Sequence, residues 1–322
     1  MTLVRDVSEE ELLARVFPLL PTGRDTLVAP GDDAAVLAAP DGRVVVTTDV
    51  LVEGRHFRRE WATGRHVGAR AAVQNLADAA AMGARPTGLV VALAVPADLP
   101  VAWVEDLARG LADACAPWGV GVVGGDLSGA DEVVVAVTAH GDLEGRDPVL
   151  RSGARPGDVV ANAGARGWSA AGLALLSAGR PEVDPVLVAH HLAPVSPLSA
   201  GPAAARGGAT AMLDVSDGLL RDAGRLARAS GVRVELDAAE EAWADELARL
   251  RPAAAAIGAD PVAWVLTGGE DHGLLATFPA GAALPEPFRA VGTVGEAVAG
   301  EPGVLVGGRP HTGPSGWDHF GG

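Results

Sequence analysis

The residues best equipped for chemistry in this sequence are aspartates that follow short apolar runs. Asp32 and Asp33 lie in Gly31-Asp32-Asp33-Ala34, and Asp49 closes Val44-Val45-Val46-Thr47-Thr48. Asp126 follows Gly124-Gly125, and Asp214 and Asp217 frame the stretch Asp-Val-Ser-Asp-Gly. Oxygen-rich clusters of this kind suit a hard cation such as Mg²⁺, which takes a few carboxylates and fills its shell with water and phosphate oxygens. In a strand Thr47 and Asp49 share one face while Thr48 turns to the other, although its carbonyl can still face a site. Aspartate beside glycine is also ordinary turn chemistry, because the carboxylate bonds neighbouring amides. Repetition of the pattern after separate apolar runs favours the metal reading.

Asp78 stands apart, inside Gln74-Asn75-Leu76-Ala77-Asp78-Ala79-Ala80-Ala81-Met82. On a helix Val67, Ala71, Gln74 and Asp78 fall along one stripe. A carboxylate among such residues is costly unless it is paired or binds metal. An ion pair with Arg70 or Arg85 is the alternative to a metal. The histidines do not suggest zinc: adjacent His190 and His191 face different ways on a helix, and His56 and His66 have no ligand spacing with a cysteine. His56, just beyond the strand that carries Asp49, either meets a substrate or fills its loop. No Gly-x-Ser-x-Gly elbow occurs, and Cys115 sits in an apolar helical stretch where an inert thiol is expected.

These residues need elements to hold them. Ser8 caps a predicted helix over 8–20, and strands are expected at 43–52, 89–95, 119–123 and 132–139. Helices are expected over 65–82, with Gly83 as its stop, and over 100–118. A turn-rich stretch at 141–157 divides the chain, and strand and helix patterns alternate again beyond it. There 169–177, 218–229 and 238–250 read as helices, and 158–163, 209–214, 232–236, 265–266, 274–278 and 291–294 as strand material. This predicts two α/β-type domains, 1–145 and 146–322.

Composition narrows the function. The chain has 322 residues, 48% of them hydrophobic, and a formal net charge of -16. That charge disfavours nucleic acid and anionic membranes as partners. Lysine is absent, which excludes an ordinary P-loop, a protein-kinase site and a pyridoxal-phosphate Schiff base. Phosphate chemistry here must therefore use metals, arginines and backbone amides. The single cysteine and the lack of a signal-type apolar start predict a cytoplasmic protein.

Taken together and in order, the motifs resemble thiamine-monophosphate kinase. The matching stretches are GDDAAVL at 31–37, TTDVLVEGRHF at 47–57, NLADAAAMGARP at 75–86 and GGDLSG at 124–129. RSGARPGD at 151–158, DVSDGL at 214–219, TGGEDHGLL at 267–275 and GWDHF at 316–320 complete the set. The resemblance implies an α/β (α+β) two-domain fold like that of aminoimidazole-ribonucleotide synthetase. Its N-terminal domain would hold metal and ATP and form a homodimer, and its C-terminal domain would complete the active site. It implies transfer of the ATP γ-phosphoryl group to thiamine monophosphate with several Mg²⁺ ions; because the acceptor phosphate is already ionised, direct in-line transfer without a phosphoenzyme is expected. Metal roles carry over to Asp33, Thr47, Thr48, Asp49, Asp78, Asp126, Asp214 and Asp217, with Asp49, Asp78, Asp126 and Asp217 the catalytic set. Nucleotide contacts carry over to Gly125, Asp126, Arg151 and Ser216, and acceptor contacts to His56, Glu270 and Trp317.

The chain departs from the family pattern in two places. An aromatic residue, commonly tyrosine, often touches the nucleotide near the position of Ala108, and GEDY or GEDF is common where this chain has Gly269-Glu270-Asp271-His272. A related enzyme of the same fold with another acceptor, and a non-catalytic binding protein, are the alternatives. Selenophosphate synthetase would need a reactive residue in an N-terminal glycine-rich segment, and no cysteine precedes Cys115. A binding protein predicts loss of the metal aspartates, which are all present.

Overall fold

The computed structural model describes residues 2–30, 34–298 and 300–317. It divides into two compact units, residues 1–79 with 84–145, and residues 80–83 with 146–322.

In the first unit α1 (Glu9–Val16) begins at Ser8, whose side chain accepts from the Glu11 N–H while the Glu11 carboxylate accepts from the Ser8 N–H. This reciprocal cap satisfies two of the helix's unpaired donors. A two-stranded ribbon joins β1 (Thr26–Val28) to β2 (Val36–Leu37). The main sheet contains β3 (Val45–Val52), β4 (Arg85–Val95), β5 (Gly121–Gly129) and β6 (Val134–Asp142) in the order β3-β6-β4-β5. Pairing is antiparallel except between β4 and β5. Two helices, α2 (Gly64–Ala81) and α3 (Val101–Cys115), complete the unit.

The α2 helix is apolar almost all round, with Ala71, Ala72, Leu76, Ala77, Ala79 and Ala80 buried, as a helix enclosed by protein must be. Small residues let it approach α3 closely. A Cβ on Gly64 or Gly68 would lie 2.0 Å from a carbonyl oxygen of α3, and one on Gly110 equally close to a carbonyl of α2. Gly83, at φ +76°, turns the chain out of the helix.

The second unit is built on a seven-stranded mixed sheet. Its strands are β7 (Val159–Ala163), β8 (Ala211–Val215), β9 (Val232–Leu236), β10 (Gly273–Phe278), β11 (Arg289–Glu296), β12 (Gly303–Val306) and β13 (Arg309–Pro310). The order is β13-β12-β9-β11-β7-β10-β8. Among the described residues seven α-helices accompany it: α4 (Trp168–Ser177), α5 (Pro185–Leu192), α6 (Ala200–Arg206), α7 (Leu219–Ser230), α8 (Ala239–Ala242), α9 (Ala244–Ile257) and α10 (Pro261–Thr267).

Alternation along the strands supplies two cores. Leu213, Val215 and Leu275 join the cluster that holds Leu175, Leu187, Leu226 and Trp243, while Met212, Leu274, Ala276 and Phe278 pack with Ala200, Ala204 and Phe288. Burial on both faces explains why β8 and β10 are apolar at nearly every position, Asp214 and Thr277 being the polar exceptions. Residues 265–266, expected as strand, are helical and close α10; a short apolar run has no period with which to distinguish the two. Among the described residues no helix is long and apolar enough to cross a membrane.

Candidate active site

In the first unit the chemistry lies along the seam between β3 and α2. The Thr47 hydroxyl donates to Asp78 Oδ2 at 2.9 Å, and the Asp49 N–H donates to Asn75 Oδ1 at 3.0 Å. The pairs follow from two periods meeting: residues 47 and 49 share a strand face, and 75 and 78 share a helix face. Because β3 is an edge strand, its outward N–H at Asp49 needs a partner from outside the sheet, which Asn75 supplies. Asn75 is fully buried and anchored in turn to the Ala71 carbonyl at 2.9 Å.

Thr48 faces the other way, as alternation requires, and its hydroxyl donates to the Val137 carbonyl at 3.0 Å on β6. His56 folds back on the strand, its Nδ1 accepting the Val52 N–H at 3.0 Å. Arg85, one of the alternative partners for Asp78, is engaged by Asp25 at 2.6 Å, Glu144 at 3.1 Å and Asp142 at 3.4 Å.

Asp126 is placed differently from the expectation that it follows a strand. β5 runs through Gly124-Gly125-Asp126 to Gly129, so Asp126 is exposed in mid-strand. Register carries it across the sheet to Ala92, then Ala136, then Val50. It therefore shares the face of Thr48 and Val50, not that of Asp49 and Thr47. Gly125 is close-packed there: a Cβ would stand 1.8 Å from the Val91 carbonyl oxygen. Gly125 and Asp126 border a largely apolar cavity of about 680 Å³ that Ala108, Leu107 and Val123 also line.

In the second unit three loops meet at the end of β8. The Glu270 N–H donates to the Ser216 carbonyl at 2.8 Å, and the Trp317 N–H donates to the Asp217 carbonyl at 2.8 Å. Gly269 and Gly316 permit this approach, since a Cβ on either would lie 2.3 Å from the carbonyl oxygen of Ser216 or Asp217. Ser216, Asp217, Glu270 and Trp317 are thus joined through backbone, and the Trp317 side chain is left 60% exposed. Asp214 is buried, with His272 Nδ1 at 3.5 Å.

Charge compensates the cluster. Arg225 spans Asp217 and Asp222 at 2.5 Å each. Asp222, nearly inaccessible, accepts the Ser216 and Asp217 N–H groups at 3.1 and 3.0 Å, and burial with Asp214 nearby pushes its pKa up to about 6. Arg166 is wholly buried, and burial holds its pKa down against the opposing fields of Asp271, Asp222 and Asp214. Arg151 belongs to another neighbourhood. Its carbonyl accepts from Ser230 at the far end of α7, which at the rise of an α-helix is about 18 Å from the Asp217 end.

Chemistry and ancestry agree. Models of the AIR synthase related protein N-terminal and C-terminal domains match residues 31–143 and 155–306. Thiamine-monophosphate kinase of Mycobacterium tuberculosis is 49% identical over 295 residues, covering 92% of this chain and 86% of that protein. The chain belongs to the thiamine-monophosphate kinase family. Thiamine-monophosphate kinase of Corynebacterium glutamicum is 46% identical over 82% of this chain and 80% of its own. Among solved structures, thiamine monophosphate kinase from Aquifex aeolicus superposes with a TM-score of 0.76 at 34% identity, covering 87% of this chain and 91% of that one. A structure described as AaThiL complexed with AMPPCP and TMP gives 0.78 at 34% identity, covering 90% and 91%. The hydrogenase maturation protein HypE in complex with ATP, at 19% identity and a TM-score of 0.72, shares the fold.

Family membership and geometry meet in particular residues. The described structure brings together Thr47, Asp49 and Asp78 in one unit, and Ser216, Asp217, Glu270 and Trp317 in the other. Asp33 and residues 318–320 of the GWDHF stretch lie outside the described residues. Sequence reasoning missed Asn75, Asp222 and Arg225. Asn75 had a signal, lying three residues before Asp78 and so on its helix face; Asp222 and Arg225 belong to no motif of the sequence and carried none.

Proposed function

We propose that this chain transfers the γ-phosphoryl group of ATP to thiamine monophosphate, giving ADP and thiamine diphosphate. One observation carries the reading: the acceptor candidates Glu270 and Trp317 are bonded through backbone to Ser216 and Asp217, in a chain 49% identical to a thiamine-monophosphate kinase. The bond from the γ-phosphorus to its bridging oxygen breaks as an oxygen of the acceptor phosphate forms the new one. That oxygen is already ionised at neutral pH, so no strong general base is required, and catalysis rests on placement and charge.

The donor set fits Mg²⁺. The candidate residues offer carboxylate and hydroxyl oxygens, with Asp78 half-buried beside Thr47. Among the described residues no three His, Cys, Asp or Glu side chains gather on one point, so carboxylates would be completed by water and phosphate oxygens, as Mg²⁺ prefers. Asp49, Asp78, Thr47, Thr48 and Asp126 would hold ions in the first unit, Asp214 and Asp217 in the second, with Asp33 assigned by resemblance. Bound there, several Mg²⁺ ions would neutralise the two polyanions and align the transfer. Asn75 fixes the backbone at Asp49, and Thr47 orients Asp78. Gly125, Asp126, Ser216 and Arg151 are assigned to the nucleotide, and the apolar cavity at Ala108 offers room for its base. His56 and Glu270 would bind the acceptor, and exposed Trp317 would stack on its thiazole or pyrimidine ring.

The division of labour follows: 1–145 holds metal and ATP, and 146–322 completes the active site. The first unit would also dimerise. Val46 and Val50 of β3 are 61% and 44% exposed, and Val44 just before the strand is 54% exposed, an apolar face suited to a second copy. Sedimentation velocity should show a dimer that Val46→Asp weakens; a monomeric wild type would refute this assignment. A reducing cytoplasm suits a chain whose one cysteine is buried, its pKa pushed up to about 12.

The test is purified protein with ATP, Mg²⁺ and thiamine monophosphate, following ADP and thiamine diphosphate by chromatography. Stoichiometric products that require Mg²⁺ support the proposal. ADP without thiamine diphosphate would mean another acceptor, and binding without turnover would mean a binding protein.

A further inference from the structure

Two non-glycine residues of the loop 268–272 adopt left-handed backbone, Glu270 at φ +67° and His272 at φ +50°. L-residues take up this region at a cost, and they persist there where their surroundings hold them. Glycine would make the same turn without that cost. A glutamate at such a position indicates that its carboxylate is wanted where the turn projects it.

Asp271, between the two, is the anchor. Its side chain is fully buried and accepts the Gly167 N–H at 2.6 Å and the Ser169 N–H at 2.8 Å, at the start of α4. His190 of α5 reaches the same carboxylate, Nε2 to Oδ1, at 3.2 Å. The imidazole of His190 meets Trp168 edge to face at 5.5 Å, and its neighbour His191 holds the Ser169 hydroxyl at 3.0 Å. Adjacent histidines on one helix thus brace the first turn of another. On its opposite flank the loop is tied by the Glu270 N–H to the Ser216 carbonyl at 2.8 Å. The Glu270 backbone is therefore pinned from both sides.

We propose that Asp271 and His190 are positioning residues that aim the Glu270 carboxylate at the acceptor. This rests on the reading that Glu270 contacts thiamine monophosphate. Asp271 fixes the turn, and His190 fixes Asp271 by adding a third contact, at the Oδ1 that also accepts the Ser169 N–H. Glu270 alone of the three meets the substrate.

The test uses the full-length protein with His190→Ala, His190→Gln, Glu270→Gln and the double variant His190→Ala with Glu270→Gln. His190→Ala should raise KM for thiamine monophosphate about tenfold while KM for ATP stays within about twofold. His190→Gln, which keeps a donor for Asp271, should recover most of the loss. The double variant should be no worse than Glu270→Gln alone, because His190 acts through Glu270. Hydrogen–deuterium exchange at 268–272 should quicken in His190→Ala, in protein without substrate. Equal rises in both KM values, additive losses in the double variant, or unchanged exchange would each overturn the proposal. A wild type inactive toward thiamine monophosphate would remove the acceptor assignment, and exchange alone would then decide whether the clamp exists.

Discussion

The β3–α2 seam and the loop cluster after β8 hold their polar residues by different means. In the seam regular elements do the placing: alternation puts Thr47 and Asp49 on one strand face, and the helical repeat puts Asn75 and Asp78 opposite them. Helix side chains then bond to the strand, Asp78 to the Thr47 hydroxyl and Asn75 to the Asp49 backbone N–H. After β8 the segments around 216, 270 and 317 are irregular, and their backbones are bonded together. The seam should accordingly tolerate isosteric side-chain changes structurally while losing function. The loop cluster should be sensitive to a single added carbon.

The largest expected effect tests the seam. Asp49→Asn keeps the shape and the Asp49 N–H bond but removes charge, and turnover should fall by about a thousandfold, roughly 4 kcal/mol in the barrier. Circular dichroism and Tm should stay near wild type. A marked drop in Tm would show that the carboxylate is structural and would break the contrast.

Gly269→Ala probes the cluster. Its new Cβ would stand 2.3 Å from the Ser216 carbonyl oxygen, closer than atoms can remain. The loops must separate, with a stability loss of about 3 kcal/mol and a weakened acceptor interaction. Thermal unfolding and KM for thiamine monophosphate measure both; an unchanged Tm would show that backbone packing does not set this region.

Asp222 sharpens the comparison through pH. Its carboxyl, pushed up to about 6 by burial and by Asp214, keeps its proton in the folded chain at pH values where the unfolded chain has lost it. Its contribution to stability is therefore greatest below the ordinary aspartate value and declines as pH rises through 6. Relative to Asp222→Asn, wild type should lose about 2 to 3 kcal/mol between pH 4 and pH 7, measured by urea unfolding. A stability difference independent of pH would mean that Arg225 fully offsets the burial.

Local chemistry alone determined a good deal. Ser8 and Glu11 mark the start of α1, Gly83 the turn after α2, and the alternation in 44–50 the separation of Thr47 and Asp49 from Thr48. The absence of lysine removed whole classes of phosphate enzyme, and the motif series pointed to the family. These features were legible because caps, periods and exclusions depend on residues a few positions apart. Tertiary structure decided the rest. It carried β5 through Asp126 and set that residue on the face opposite Asp49, because sheet register depends on β4 and β6 and not on the Gly-Gly-Asp stretch itself. It made 265–266 helical, and it brought Asp222 and Arg225 of α7 back onto Ser216 and Asp217 as their supports. It also joined His190 to Asp271 across 81 positions. Contacts at that separation form only when buried surface and paired backbone groups offset the entropy of closing the chain between them, and short-range patterns carry no trace of that balance.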